Sequence, residues 1–162
     1  MRQTLLLLFL SVSTFAQDAA YLTPPKPLAD LVNAAPTPTV SVDSRGQWML
    51  ILERNNATTT IAELSQPELR LAGLRLNPAT NGPSRAVYIN NLKLRRVMAN
   101  ATDVAISGLP ANAQLSNVQW SPDDSKIAFT HTTDAKIELY VADVATATAR
   151  KVSDLALNGV LG

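Results

Sequence analysis

The sequence predicts an all-β fold, a partial β-propeller of two to three four-stranded antiparallel blades. Residues 115–152 divide into four short strand-like runs separated by turn residues. That length is close to the ~40–45-residue repeat of one propeller blade. The same strand–turn–strand pattern occurs 78 positions earlier in the chain. Because a single blade cannot cover both of its faces, neighbouring blades are expected.

Residues 1–16 have the pattern of a signal peptide. Arg2 carries the positive charge, residues 4–12 are mostly apolar, and Thr-Phe-Ala at 14–16 supplies a cleavage signal. The apolar run has about half of the ~20 residues that cross a bilayer. We therefore expect a cleaved leader and an exported protein, periplasmic or extracellular and bacterial, with no membrane contact after cleavage.

Residues 17–38 are expected to form a Pro-rich N-terminal arm. Five prolines between residues 24 and 38 stiffen the backbone and forbid a long helix. Residues 28–34 are nevertheless compatible with two helical turns. The alternative is a disordered lead-in. Residues 39–162 then form the incomplete propeller domain.

The first hairpin is predicted over residues 39–43 and 47–53, with its turn at Ser44-Arg45-Gly46. When the chain is shifted by 78 positions, residues 42–51 lie over residues 120–129, and Gly46 lies over Asp124. The offset is close to twice a blade repeat. One weaker blade is therefore expected between the two copies.

The segment between the two copies alternates short apolar runs with turn residues. A polar loop at 55–60 leads into a short helix or two turns over residues 61–71, which Pro67 interrupts. Strands are predicted at 71–76, 86–97 and 102–106, with a bulge or tight turn at Asn90-Asn91. In the turn-rich loop at 77–83, Gly82 is the natural position for a positive φ.

The last blade begins with an extended run at residues 115–120, in which apolar side chains alternate with polar ones. Ser121-Pro122-Asp123-Asp124 is typical of a turn, since Pro presets φ at the second position and Asp tolerates the dihedral angles that follow. Alternating patterns then predict strands at 126–131 and 136–142, and a final short strand at 149–152.

Composition and motifs argue against several classes of function. There is no Cys, and the formal net charge is +1 with scattered basic residues, so thiolate chemistry and nucleic-acid binding have little support. No Gly-x-Ser-x-Gly elbow is present, and no catalytic residue is assigned. His131 is the single histidine, and a place on the blade surface is favoured over a role as catalytic base.

No metal or cofactor is predicted. One histidine without cysteine does not make a typical zinc site. Asp123, Asp124 and Asp134 are a conceivable hard-cation set, but Asp is common in turns for local hydrogen-bonding reasons. Trp120 is expected to pack in the core, and ligand stacking stays an open alternative for Trp48.

Several segments carry a resemblance to a known family. Trp120-Ser-Pro-Asp-Asp-Ser-Lys-Ile-Ala-Phe129, followed by Leu139-Tyr-Val-Ala-Asp-Val144, resembles the blade motif of bacterial periplasmic propellers, including those of prolyl-oligopeptidase-family serine peptidases. Residues 66–85 (QPELRLAGLRLNPATNGPSR), preceded by IAEL at 61–64, are similar to the glutamyl-endopeptidase branch of that family. Residues 141–150 fit the same branch, and the similarity extends from about Tyr21 to the chain end.

The resemblance implies a supporting role in a serine peptidase. In that family the propeller continues and is followed by an α/β-hydrolase domain that holds the catalytic Ser, Asp and His, whereas this chain stops at Gly162. We expect a non-catalytic segment that gates peptide access, with further blades, the hydrolase domain and peptide substrate as partners. The alternative is a periplasmic propeller-type protein-binding module with no peptidase role.

Arg75 and Arg85 are the predicted substrate-binding residues. Both flank the 77–83 loop, inside the segment that resembles the glutamyl branch. A peptidase that prefers acidic side chains needs guanidinium groups, because arginine binds a carboxylate through a planar fork of donors. The alternative is an ordinary ion pair of these arginines, or of Arg70, with Glu63 or Glu68.

Overall fold

The structure, a computed structural model, describes residues 22–55 and 60–160. The chain divides into two compact units, Met1–Val32 and Asn33–Gly162. The leader predicted for residues 1–16, and most of the polar loop predicted at 55–60, lie outside the described residues. The described residues of the first unit contain one helix, α1 (Lys26–Val32). It begins two residues earlier than the helical turns that the sequence predicts. Neither this helix nor any other in the described ranges is long and apolar enough to cross a membrane.

The second unit confirms the predicted all-β class, with eleven strands in three antiparallel sheets among the described residues. One short helix, α2 (Ile61–Leu64), lies between the second and third strands. The strands are β1 (Thr39–Val42), β2 (Trp48–Glu53), β3 (Leu69–Leu71), β4 (Leu74–Asn77), β5 (Gly82–Pro83), β6 (Asn91–Arg96), β7 (Val104–Ala105), β8 (Leu115–Trp120), β9 (Lys126–Thr132), β10 (Ile137–Asp143) and β11 (Thr148–Lys151). We name three sheets by strand order: the first sheet is β1-β2-β6-β7, the small sheet is β3-β4-β5 and the second sheet is β11-β10-β9-β8.

The second sheet is an up-and-down meander whose strand ends agree with the sequence predictions to within about one residue. Successive side chains of a strand point to opposite faces. The alternating apolar residues therefore share one face, and Ile127 and Phe129 of β9 are fully buried. The register of β8 shifts between Ser116 and Gln119, and Asn117 between them has a φ of 51°. This bulge was not indicated by the sequence pattern.

The first sheet has the same meander order, but a long insertion separates its second and third strands. Glu53 of β2 is paired with Asn91 of β6, so the chain leaves the sheet after Glu53 and returns to it directly opposite. The insertion contains α2 and the small sheet. The prediction of a weaker blade between the two repeats is therefore wrong. The doubled spacing comes from an insertion within one blade-sized sheet.

The two hairpin turns confirm the repeat at 78 positions. Gly46 has a φ of 65° and its counterpart Asp124 a φ of 60°. In each turn this residue's backbone N–H donates to the carbonyl three residues earlier. Gly46 donates to Asp43 at 3.2 Å, and Asp124 donates to Ser121 at 2.9 Å. Both positions require a left-handed backbone, which Gly and Asp tolerate best.

The hydrophobic core lies between the first and second sheets. It joins fully buried side chains of four strands: Leu50, Leu92, Leu94, Leu115, Ile127 and Phe129. The two sheets also meet at their edges, where Ser107 forms a parallel bridge to Thr148 of β11. Gly108 follows that bridge, and a Cβ placed on it would lie 2.3 Å from the carbonyl oxygen of Ala149. The contact therefore requires glycine.

A second close approach attaches the insertion to the second sheet. A Cβ on Gly82 would lie 2.6 Å from Cδ1 of Ile137, and one on Gly159 would lie 2.8 Å from the same atom. The positive φ predicted for Gly82 is wrong, because the left-handed residue of this loop is its neighbour Asn81, with a φ of 52°. Gly82 is needed for space, and Asn81 supplies the turn.

Candidate functional site

The small sheet gathers three arginines around one carboxylate, that of Glu68. Arg70 Nη2 and Nε lie 2.7 Å and 2.8 Å from Glu68 Oε1. Arg75 Nη1 lies 3.6 Å from the same oxygen, and Arg85 Nε lies 3.6 Å from Oε2. Ser84 Oγ donates to Oε2 at 3.0 Å. We name these four charged residues the arginine cluster.

The local fold of the insertion produces this convergence. The β3–β4 hairpin turns at Ala72 and Gly73, which have φ values of 48° and 88°. The turn places Arg70 directly opposite Arg75 across the two strands. Like charges in such a pair repel each other, and the carboxylate offsets that repulsion. The backbone N–H of Ser84 donates to the Arg75 carbonyl at 3.0 Å, which brings the next residue, Arg85, to the same place.

The charges of the arginine cluster are unevenly exposed. The Glu68 side chain is 12% exposed, whereas those of Arg70, Arg75 and Arg85 are 67%, 48% and 40% exposed. The hydrogen bond from Arg70, then that from Ser84, and then the charges of Arg85 and Arg75 lower the pKa of the Glu68 carboxyl. Glu68 is therefore ionised at neutral pH, and one negative charge faces three positive ones.

The arrangement leaves arginine donors free to bind a second anion. A separation of 3.6 Å is too long for a hydrogen bond from Arg75 or Arg85 to Glu68, although the charges still attract. Both guanidinium groups are partly exposed, so a carboxylate from outside can reach them. Arg70 already binds Glu68 closely and is held in place.

A cleft of about 530 Å³ lies beside the arginine cluster, between the insertion and the β9–β10 turn of the second sheet. Arg85 lines it, and Arg75 does not. Asn90 also lines the cleft; its Nδ2 donates to Asn55 Oδ1, while its Oδ1 is buried without a hydrogen-bond partner. Polar side chains supply much of the remaining lining, among them Gln66, Asn77, Tyr88, Gln114 and Asp134.

His131, Trp120 and Trp48, which the sequence analysis considered for functional roles, are all packed inside the fold. His131 is only 6% exposed, and its Nδ1 accepts the backbone N–H of Gln114 at 3.3 Å, so its expected place on the blade surface is wrong. Trp120 packs against the core and donates from Nε1 to Ser41 Oγ at 3.0 Å. Trp48 also packs against the core, with the guanidinium carbon of Arg96 4.1 Å from the ring centroid.

The three aspartates considered for a cation do not form one group. Asp123 accepts hydrogen bonds from Ser121 and Ser125 within its own turn. Asp124 binds the first turn, and Asp134 lines the cleft. Nowhere in residues 22–55 and 60–160 do three or more acidic or histidine side chains gather in a way that could hold a metal ion.

Sequence reasoning reached part of the candidate site. It named Arg75, Arg85 and the ion-pair alternative with Glu68, and the structure brings all three together. It did not find Ser84 or Asn90 as site residues. The pattern of the 66–85 segment does not show that Ser84 bonds Glu68, and the partner of Asn90, Asn55, lies 35 residues earlier in the chain. Substrate binding by Arg75 and Arg85 stays a prediction.

The fold and this cluster define a β-rich protein with two blade-sized sheets and an arginine-bearing insertion. The chain is 30% identical over 152 residues, 86% of its length, to “Probable glutamyl endopeptidase, chloroplastic” of Oryza sativa subsp. japonica. It is 31% identical over 156 residues, 90% of its length, to the protein of the same name in Arabidopsis thaliana. The chain spans 16% of the length of each relative. These similarities indicate a peptidase-related chain.

No protein-family profile matches the chain, and no solved structure matches it significantly. The relationship to peptidases therefore rests on the two plant proteins, together with the segments that resemble the glutamyl branch. The described sheets supply the fold of the region that is similar.

Proposed function

We propose that this chain is a non-catalytic propeller segment of an exported serine peptidase resembling glutamyl endopeptidases. The similarity to the two plant proteins carries the proposal, because it covers 86–90% of this chain. Acyl transfer takes place in an α/β-hydrolase domain elsewhere in the enzyme. The sheets shape the entrance to that domain and limit which peptides reach it.

The arginine cluster gives this entrance a preference for acidic side chains. Arg75 and Arg85 contact a carboxylate of the peptide through donors that Glu68 leaves free, since both lie 3.6 Å from it. Arg85 also lines the cleft, so it is the residue that links the cluster to a bound peptide. Export through the leader at residues 1–16, and packing against further blades and the hydrolase domain, complete the proposal.

Peptide binding by the isolated chain tests the role of the arginine cluster. A fluorescent peptide with a central Glu is expected to bind more tightly than the same peptide with Gln, and the preference is expected to weaken as salt rises. Arg75→Ala and Arg85→Ala reduce the preference. Arg150→Ala is the matched control, because Arg150 is an exposed arginine of β11 outside the cleft and the cluster.

An activity assay tests the supporting role. We expect the purified chain to leave Glu-containing peptides uncut, because the sequence has no Gly-x-Ser-x-Gly elbow. Turnover that persists through purification would refute a non-catalytic segment. Equal binding of the Glu and Gln peptides would instead favour a propeller-type protein-binding module without a peptidase role.

A further inference from the structure

The cleft beside the arginine cluster has two walls that carry opposite charges. The insertion wall holds Arg85, and the opposite wall is the β9–β10 turn, which holds Asp134. Arg85 lies 3.6 Å from Glu68, and the Asp134 carboxylate has no ion pair or hydrogen bond to any described residue. Arg85 and Asp134 therefore do not pair with each other. A ligand that occupies the cleft meets one positive group and one negative group.

Hydrogen bonds close the β9–β10 turn around Asp134. Thr133, the residue before it, donates from its backbone N–H and from Oγ1 to the Lys136 carbonyl, at 2.8 Å and 2.9 Å. Thr133 Oγ1 also accepts the backbone N–H of Lys136 at 3.0 Å. The ammonium group of Lys136 lies 2.9 Å from Glu138 and does not pair with Asp134. The turn therefore presents a carboxylate that no cation of the described chain binds.

Direct contacts hold the two walls together three residues after Asp134. A Cβ on Gly82 of the insertion would lie 2.6 Å from Cδ1 of Ile137, the first residue of β10. The Asn81 carbonyl accepts the backbone N–H of Gly159 at 2.8 Å, and Gly159 also approaches Ile137 closely. The fold therefore sets the separation of the opposite charges, which do not lie on independent loops.

The uncharged lining of the cleft can bind a peptide backbone. Gln66 lies on the insertion wall, and Gln114 lies beside the end of β9, where its carbonyl accepts the Thr132 N–H at 3.0 Å. The side-chain amides of both glutamines have no hydrogen bond to described residues. Such an amide can donate to a peptide carbonyl and accept from a peptide N–H. The cleft volume of about 530 Å³ is within the range of ~300–1,000 Å³ that ligand pockets occupy.

A third charged residue, Glu63, also lines the cleft. Its carboxylate accepts the backbone N–H of Thr60 at 2.7 Å, in the N-terminal cap of α2, and it forms no ion pair with a described residue. The lining therefore carries two negative charges and one positive charge. One acidic side chain of a ligand can bind Arg85. A second one would be repelled by Glu63 and Asp134, whereas a basic side chain would be attracted.

We propose that the cleft selects a peptide segment in which one acidic side chain lies close to a basic one. Arg85 binds the carboxylate, and Asp134 binds the lysine or arginine of the same segment. The proposal rests on the proposed function, because it takes a peptide as the ligand, and it adds a second requirement to the preference for an acidic side chain. Segments with several neighbouring acidic residues are disfavoured.

Peptide binding with a lysine scan tests the proposal. A fluorescent peptide with a central Glu carries a single Lys at each of the neighbouring positions in turn, and Gln or Glu at the same positions for comparison. At the best position the Lys peptide is expected to bind roughly two- to fivefold more tightly than the Gln peptide, as for a partly exposed ion pair. The peptide with a second Glu is expected to bind more weakly than either.

Variants of Asp134 assign the effect to its carboxylate. Asp134→Asn is expected to remove the preference for Lys and to keep the preference for the central Glu. Asp134→Lys is expected to reverse the first preference, so that the peptide with a second Glu binds more tightly than the Lys peptide. Asp154→Asn is the matched control that keeps both preferences, because the Asp154 side chain is 95% exposed and lies outside the cleft. Circular dichroism melting shows that each variant folds.

Two results would overturn the proposal while the proposed function stands. One is a Lys that changes the affinity at no position although the central Glu is still preferred over Gln. The other is a preference for Lys that both substitutions of Asp134 leave intact. Equal binding of all the peptides, including those with central Glu and central Gln, would overturn this proposal together with the acidic preference of the arginine cluster.

Discussion

Gly108 lies where the two large sheets approach each other closely. It has a φ of 74°, and a Cβ placed on it would lie 2.3 Å from the Ala149 carbonyl oxygen. Gly46 has a similar φ of 65°, but a Cβ there would meet nothing within 4 Å. The two positions share a backbone conformation and differ in free space. They therefore separate the effect of dihedral strain from that of crowding.

We predict that Gly108→Ala destabilises the chain more than Gly46→Ala does. A left-handed alanine costs about 1–2 kcal/mol, and this is the whole expected effect at residue 46. At residue 108 the clash with a backbone oxygen adds to it, for a total on the order of 3 kcal/mol or more. Urea unfolding measures the loss of stability in each variant. Equal effects would show that the sheets do not approach closely at Gly108.

Glu138 is a largely buried carboxylate between two lysines. Lys136 Nζ lies 2.9 Å and Lys151 Nζ 3.1 Å from its Oε1, and its side chain is 9% exposed. The hydrogen bond from Lys136, followed by that from Lys151, lowers the pKa of the Glu138 carboxyl. In the unfolded chain this pKa returns to an ordinary value of about 4.3. Deprotonated Glu138 therefore stabilises the folded state.

The stabilisation by Glu138 is predicted to depend on pH. It is complete above the unfolded pKa and is lost as pH falls through the lower folded pKa. Glu138→Gln is therefore expected to be less stable than the parent near neutral pH, and the difference is expected to shrink in acid. Urea midpoints of both proteins across this range check the prediction. A difference that is constant with pH would contradict it.

At the scale of elements, local pattern predicted the second sheet well. Its strands are consecutive and short-looped, so alternation and the Ser-Pro-Asp-Asp turn suffice to locate them. The first sheet was harder, because β2 and β6 pair across a long insertion. Alternation does not show which strand is the partner of another, and so the insertion resembled a further blade.

The same reason limited prediction of the candidate site. The spacing of Arg75 and Arg85 around a turn-rich loop singled them out, and their chemistry suggested a carboxylate partner. Their meeting with Arg70 at Glu68 depends on strand pairing in the small sheet. The cleft depends on contact between the insertion and the second sheet, which pattern within either segment does not contain.

The insertion is predicted to be dispensable for the packing of the two large sheets. Glu53 and Asn91 are paired, so a short turn can join β2 to β6 directly. Replacing residues 56–88 with Asn-Gly is expected to leave a cooperatively folding protein with unchanged tryptophan fluorescence, since Trp48 and Trp120 lie outside the insertion. It removes all of the arginine cluster and with it the preference for a Glu peptide.

The control for this deletion is Phe129→Ala. Phe129 is fully buried between the large sheets, and its truncation is expected to destabilise the chain by about 3–5 kcal/mol. A deletion variant that unfolds as readily as this core variant would show that the insertion belongs to the folding unit. That result would contradict its description as an addition to a complete blade-sized sheet.

At the scale of the whole molecule, the two repeated sheets pack against each other with their hairpin turns in contact. Asp124 of the second turn accepts the N–H of Ser44 at 3.2 Å and its hydroxyl at 2.5 Å, and these bonds lower the pKa of the Asp124 carboxyl. Arg45 donates to the Asp123 carbonyl at 3.3 Å, and these two residues occupy equivalent positions in the repeat. Equivalent turns of the two large sheets thus lie side by side.

The contact between Trp120 and β1 tests this stacking most directly. The chain has two tryptophans, so its two indole N–H resonances are readily assigned. The Trp120 Nε1 proton is predicted to show a nuclear Overhauser effect to the β protons of Ser41 and slow exchange with solvent, because Nε1 lies 3.0 Å from Ser41 Oγ. No cross-peak to β1, together with exchange as fast as that of a free indole, would contradict the packing of the first sheet against the second.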